Sequence, residues 1–315
     1  MDARSSDLKY WIRRLVNSLL VVWGVSTLVF LTLRLVPGDP VESILGETAL
    51  EVDKESLRQC LELDHPLWEQ YWIFLKEVGS GSFGQLCDQQ GVTVMSRLLT
   101  AIPPTVELAL ASLLLAALFG VPVGIWAAMR RGGAVDAATA VVSLLGISIP
   151  NFWLGPMLLI LFSLTLRWLP DPGAGMEGLS GLILPAVTLG SALAAKISRM
   201  TRSSVLETLE QDYVRTARAK GLAERIVIGR HVMRNSLIPV VTIMGLQFGA
   251  LLAGAIVVEK IFARPGLGTL LLEAIFTRNY RLVQGCVLVI AFANILVNLA
   301  TDLLYTRIDP RVKLR

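Results

Sequence analysis

Charge is scarce in this sequence. Asp, Glu, Lys and Arg make up 17% of its 315 residues, against about a quarter in soluble domains. Histidine is rarer still, with two residues, and cysteine numbers three. With so few of either, nothing argues for a metal held by side chains. No lysine directly follows a glycine. The Gly-Lys-Ser/Thr ending of a phosphate-cradling loop is therefore missing, and the chain has no ATP site of that kind. There is no Ser/His/Asp or paired His/Glu constellation, because His65 and His231 both fall in loops, and this argues against a membrane enzyme. No internal repeat is visible, which argues against a secondary transporter built from inverted halves.

What fills the sequence is apolar residues, 54% of the total, gathered into long runs. They cover Val16 to Val36, Pro104 to Met129, Ala134 to Leu169, Leu182 to Ala195, Ser236 to Ile261 and Val283 to Leu304. A helix needs about 20 residues to cross a bilayer. The first run is too long for a signal-peptide core and no small-x-small site follows it, so it reads as a retained helix. The third run is interrupted at Pro150 and Pro156 and is either one bent span or two short ones.

Charge decides between these. Basic residues cluster before the first run (Arg4, Lys9, Arg13, Arg14), after the second (Arg130, Arg131), after the fourth (Lys196 to Arg234) and at the end (Arg307, Arg311, Lys313, Arg315). The positive-inside rule places all four clusters in the cytoplasm. The third run then crosses once and bends at Pro150. The sequence thus predicts an all-α membrane protein with about six transmembrane helices and both termini cytoplasmic. Residues 1–36 form an N-terminal segment and first span, and 37–103 an acidic outer loop region. Residues 104–308 form a membrane core that includes a cytoplasmic loop at 201–235, and 309–315 form a tail. The basic residues flank spans rather than marking a nucleic-acid surface.

In the outer loop, Trp68, Tyr71, Trp72 and Phe74 recur every three to four residues, which predicts a short amphipathic helix. It packs on the membrane face, meets a partner, or caps the helix ends. Cys60 and Cys87 lie in this loop and are either bridged or free thiols. The last span carries Asn294, Asn298 and Asp302 at spacing four, on one face. Such polar groups turn toward the bundle interior, where they glue helices together or line a wet path. Asp302 has Arg307 as a candidate ion partner. Gln247 in the fifth span is a further path candidate. The small residues Gly245, Gly249, Ala250 and Gly254 favour close helix packing, within the chain or with a partner subunit.

The cytoplasmic loop carries Tyr213-Val214-Arg215-Thr216-Ala217-Arg218-Ala219-Lys220-Gly221-Leu222. Ala217 and Gly221 lie four apart, on one helical face, where small side chains admit a close-approaching surface. Gly221 can end a helix, with a second helix starting near Ala223. This segment, followed by Arg230-His231-Val232-Met233-Arg234-Asn235-Ser236-Leu237-Ile238-Pro239, resembles the coupling loop of ABC-importer permeases. It is most similar to the B-type subunits of dipeptide, oligopeptide, glutathione and nickel importers. Further stretches resemble that family in the same order: Arg34 to Pro40, Leu63 to Tyr71, Ile149 to Gly155, Leu184-Pro185-Ala186, Glu259 to Gly268 and Asp309-Pro310-Arg311. Arg215 and Thr216 depart from the Glu-Ala start of the general motif. Gly81-Ser82-Phe83-Gly84 lacks the acidic residue that many relatives carry between those glycines.

The resemblance implies a type I importer permease fold in a bacterial inner membrane, surrounded by lipid. It implies no cofactor, no resident metal and no catalytic residue. It implies a second homologous permease, two ATP-binding subunits that carry out hydrolysis, and a periplasmic substrate-binding protein. Tyr213, Arg215, Ala217, Arg218, Lys220 and Gly221 would form the ATPase-docking loop. Peptides, glutathione and chelated nickel all stay open as cargo.

Overall fold

The computed structural model describes residues 2–35, 39–46, 48–87, 91–172 and 178–308. The expected motifs at Pro37-Gly38 and Asp309-Pro310-Arg311, and the tail at 309–315, lie outside them. The described residues are helical apart from short connections and one isolated bridge between Gln85 and Thr93. Five helices are long and apolar enough to cross a membrane: Ile12–Leu35 within α1 (Asp2–Leu35), α5 (Val94–Met129), α8 (Leu179–Leu209), Glu224–Ile261, and Tyr280–Leu303 within α13 (Tyr280–Ile308). A sixth span is possible if α6 (Ala134–Ser148) and α7 (Asn151–Leu159), with the wider turn Ile160–Thr165 that follows, count together. That pair bends by 100° at its break, where Ile149 is extended and Pro150 precedes the new helix. Proline disfavours a helical residue before it, so the chain turns there.

Two helices outrun the apolar runs that announce them. α5 starts ten residues before Pro104, because Thr93 Oγ1 accepts the Ser96 N–H (3.2 Å) and Val94, Leu98 and Ala101 present a buried face at helical spacing. α8 continues past Ala195 to Leu209. Ile197, Thr201, Val205 and Thr208 are buried along it at intervals of three or four, so Lys196, Arg199 and Arg202 lie inside a helix rather than after one.

The chain divides into two units. The first comprises residues up to Thr105 together with Pro265–Ile295. It contains α1, α2 (Pro40–Leu45), α3 (Glu51–Cys60), α4 (Leu67–Ser80) and α12 (Leu267–Phe276). Asp39 caps α2 by accepting the Val41 N–H (2.8 Å). It also pairs with Arg58 of α3 (2.9 Å), and that bond holds its carboxyl below the usual carboxylate range. Val41, Leu57 and Leu61 form a small core beneath, and a Cys60–Cys87 disulfide closes the segment. The expected amphipathic helix is α4, and its inner face packs on α1, while Trp68 and Trp72 on the other face are exposed. Phe30 of α1 packs on Tyr71 and Phe74, the Tyr71 and Thr27 hydroxyls meet at 2.6 Å, and Arg34 Nε donates to Gln70 Oε1 (2.8 Å). At Gly84 the positive φ (+81°) favours glycine, and a Cβ would lie 2.8 Å from Glu77 Oε1 and 3.0 Å from Arg281 Nη1, side-chain ends that would have to shift.

The second unit comprises Val106–Arg264 and the chain from Leu296. α8 is its axis, buried along most of its length. α11 (Met233–Ile261) packs along it. Gly155 sets α7 against Ile261 and Phe262, and a Cβ on Gly245 would lie 2.7 Å from Thr301 in the last helix. Arg264 pairs with Glu107 at 2.9 Å.

Candidate docking site and membrane path

The segment between α8 and α11 folds as a short helix, α9 (Asp212–Ala219), then a turn, then α10 (Glu224–Ile226), which runs through a wider helical turn (Val227–Val232) into α11. α9 forms because Val214 and Ala217 are three apart on one face, while Asp212 and Arg218 sit at the ends that the helix dipole favours. It ends at Lys220, and Gly221 follows with φ +76°. A side chain there would be strained, although nothing lies within 4 Å of its Cβ position. Ala223 is the extended residue before α10. The expected helix, glycine turn and second helix are all present.

Ala217 packs inward, beneath the outer face of α9. It is 5% exposed and belongs to an apolar core with Val214, Ala128 of α5, Val205 of α8, Val227 and Val232. Gly221 is small because the turn demands it. What α9 presents outward is Tyr213, Arg215, Arg218 and Lys220, all exposed. Two of these are already engaged. Arg218 binds Glu224 across the turn (2.6 and 3.2 Å), and Tyr213 Oη accepts from Asn235 Nδ2 (2.8 Å). Arg215 reaches Asp212 only at 3.7 Å. The result is a basic ridge braced at both ends and seated on side chains from three membrane helices.

One brace escaped the reading of the sequence. Asp136, in the first turn of α6, accepts from Arg202 of α8 (2.8 Å to Nη2) and from the Gly132 N–H (3.0 Å). It locks the turn after α5 onto the same helix that leads to α9. The signal was available: Asp136 is the one acidic residue in a long apolar run, and an ionisable group there normally has a named partner.

The path candidates divide between the units. Gln247 accepts from Lys196 Nζ (3.0 Å) and Asn298 is exposed, both in the second unit. Asn294, in the first, donates back to Ile290 O of its own helix (3.3 Å). Thus one of the three, Gln247, is tied to another helix, and Asn294 only to its own. The Arg307 side chain, the candidate partner of Asp302, lies outside the described residues. His65 sits beside Glu69 (3.3 Å). Among the described residues no three His, Cys, Asp or Glu gather as a metal would need.

Comparison with known proteins decides the family. Residues 120–314 match the family described as binding-protein-dependent transport system inner membrane component. Residues 7–108 match its N-terminal companion. The chain belongs to this family. The permease is 41% identical to the di/tripeptide transport system permease protein DppB of Pseudomonas aeruginosa, over 97% of its own length and 99% of that protein's. It is 42% identical to the glutathione transport system permease protein GsiC of Escherichia coli K12, with the same coverage. Its fold is similar to a chain of the inward-facing MetNI methionine ABC transporter, with a TM-score of 0.54, 18% identity, and coverage of 68% of the permease and 97% of that chain. The permease is therefore a multi-pass membrane component of a binding-protein-dependent ABC importer.

Proposed function

We propose that this permease forms half of the path of a peptide importer, paired with a second homologous permease, and that the ridge on α9 seats an ATPase subunit. ATP hydrolysis resides on two such subunits, and a periplasmic binding protein delivers the cargo. Both termini are cytoplasmic, with the segment from 37 to 103 outside. The observation that carries the docking role is the seating of α9: an outward basic face on a buried apolar face shared with α5, α8 and α11. Closure of the ATPase pair presses the ridge, the three spans shift as one body, and the path opens toward the binding protein. Interactions that link two conformations must favour one of them, and a rigid seat lets the energy of closure reach the spans.

Near-full-length similarity to di/tripeptide and glutathione permeases supports a cargo with a peptide backbone. Glutathione, itself a modified tripeptide, is the second reading, and a nickel chelate a third. The test is purification through a tag on this chain. A second permease and ATPase subunits should come with it, and an Arg215→Cys variant should crosslink to an ATPase subunit. Arg215 is preferable to Gly221, where any side chain would also strain the turn. A chain that purifies alone or as a homo-oligomer would overturn the proposal in favour of a self-contained transporter. With the complex in hand, radiolabelled dipeptide and glutathione uptake separate the cargoes.

A further inference from the structure

The second unit holds a cavity of about 650 Å³ between α5, α6 and α8. Glycines build its frame. A Cβ on Gly120 would lie 2.7 Å from the Ala194 carbonyl oxygen, and one on Gly124 would collide with that of Ser198. α5 therefore rests directly on the backbone of α8. Gly146 brings α6 close but less tightly, with a Cβ there 3.3 Å from that of Ala195. α8 is the floor, α5 and α6 are the walls, and the space between the walls is unfilled. Phe119, Val123, Trp126 and Val142 line it and are exposed. At membrane depth such a groove has only apolar matter to fill it.

Three observations specify the occupant. Ser198 lines the groove and is 3% exposed, yet its hydroxyl has no hydrogen-bond partner. A buried hydroxyl normally has one; Thr201 on the same helix is also unpaired, but only Ser198 lines the groove. Next, the Arg130 guanidinium lies over the Trp126 ring, 5.7 Å from its centre, and Trp126 lines the groove. Arg131 and Arg202 at the same end are held by Glu210 (3.0 Å) and Asp136. Arg130 makes no such ion pair among the described residues. Last, the depths agree. Trp126 is two residues, about 3 Å of helix rise, from Gly124, whose backbone meets Ser198. Arg130 itself is six residues, about 9 Å of rise, from Gly124, and its guanidinium reaches back over Trp126, so a phosphate held there lies within about one helical turn of the depth of Ser198. From Ala134 to Gly146 the α6 wall offers about 18 Å for a chain.

We propose that this groove binds one anionic phospholipid: phosphate on Arg130 and Trp126, ester carbonyl on Ser198, acyl chain between α5 and α6. Basic sites between membrane helices recognise anionic headgroups in this way. The lipid completes the wall of the bundle next to the Asp136–Arg202 lock, so its loss would loosen the helices that seat α9.

The complex purified through a tag on this chain is the material for the test. It is exchanged into detergent carrying equal amounts of phosphatidylglycerol and phosphatidylcholine, and retained lipid is counted by native mass spectrometry. Phosphatidylglycerol should be retained in excess, and Arg130→Ala should lower that preference about five-fold, with Arg130→Lys keeping most of it. Ala138→Trp, which fills the groove from an exposed position, should remove the retained lipid without changing subunit composition. Equal retention of both lipids, or an Arg130→Ala preference unchanged from wild type, would overturn the proposal. So would a Val142→Cys variant that crosslinks to another subunit, since a protein helix would then occupy the groove.

Discussion

The segment from 39 to 87 and the segment from 212 to 232 both interrupt the spans, and they are held by opposite means. The first is fastened by devices: a disulfide, the Asp39–Arg58 and Arg281–Glu62 pairs, and two small apolar clusters of three buried residues each. The second is less than half as long, has no disulfide, and rests on one apolar core shared with three membrane helices. Crosslinks fix a long excursion by restricting what the unfolded chain can do. They do not make it stiff. Packed side chains do, because a dense interior transmits displacement instead of absorbing it. A covering segment needs the first kind of attachment, and a lever needs the second.

Val214→Asp breaks the comparison on the lever side and carries the largest expected effect. Val214 is fully buried in the α9 core. An unpaired carboxylate there costs several kcal/mol unless the helix leaves its seat. α9 should detach while the spans persist. Limited proteolysis should cut near Arg215 and Arg218 in the variant and not in wild type, and uptake should fall to background. An uncut, transporting variant would show that the seat is dispensable. Cys60→Ser breaks the other side with a smaller effect. The bridge joins residues 27 apart, for which loop closure gives about 3–4 kcal/mol. Thermal unfolding followed by a probe in the 39–87 segment should move down, while docking and ATPase stimulation in the complex stay near wild type. Equal damage to both would mean the two segments are not independent.

The sequence revealed most where one physical signal acted alone. Apolar runs marked the spans, and period-3.6 aromatics marked α4. Gly221 marked the end of α9, because a positive φ has a strong residue preference. It misled where two causes leave the same trace. A small residue four positions from Gly221 reads as part of an outward surface, and the same residue, Ala217, also packs into the core under α9. Hydropathy ended α8 near Ala195, yet the helix continues for 14 residues because its buried stripe does not need the other faces to be apolar. Asp136 and Arg202 lie 66 residues apart, and no local pattern joins them. The Cys60–Cys87 pairing stayed open for the same reason: spacing says nothing about which thiols meet.

Within the outer segment the comparison sharpens to two carboxylates and a small effect of pH. Arg58 holds the Asp39 carboxyl below its ordinary value of 3.8. Its contribution is present above that value and disappears as pH falls through the lowered one. Glu77 is displaced the other way. Burial raises it above 4.5, against the pull of Arg281 and with a small push from Glu62. A raised carboxyl makes the folded state bind its proton more readily than the unfolded state does. Stability from this group is therefore fully present below 4.5 and is lost as pH rises through the raised value. Glu77→Gln removes the titration and keeps the shape. Above that window the variant should unfold at or above the wild-type temperature, and the difference should shrink as pH falls to 4.5. A variant less stable than wild type at neutral pH would mean that the attraction of Arg281 outweighs the cost of burial, and that Gly84 makes room for a charge the fold uses rather than one it tolerates.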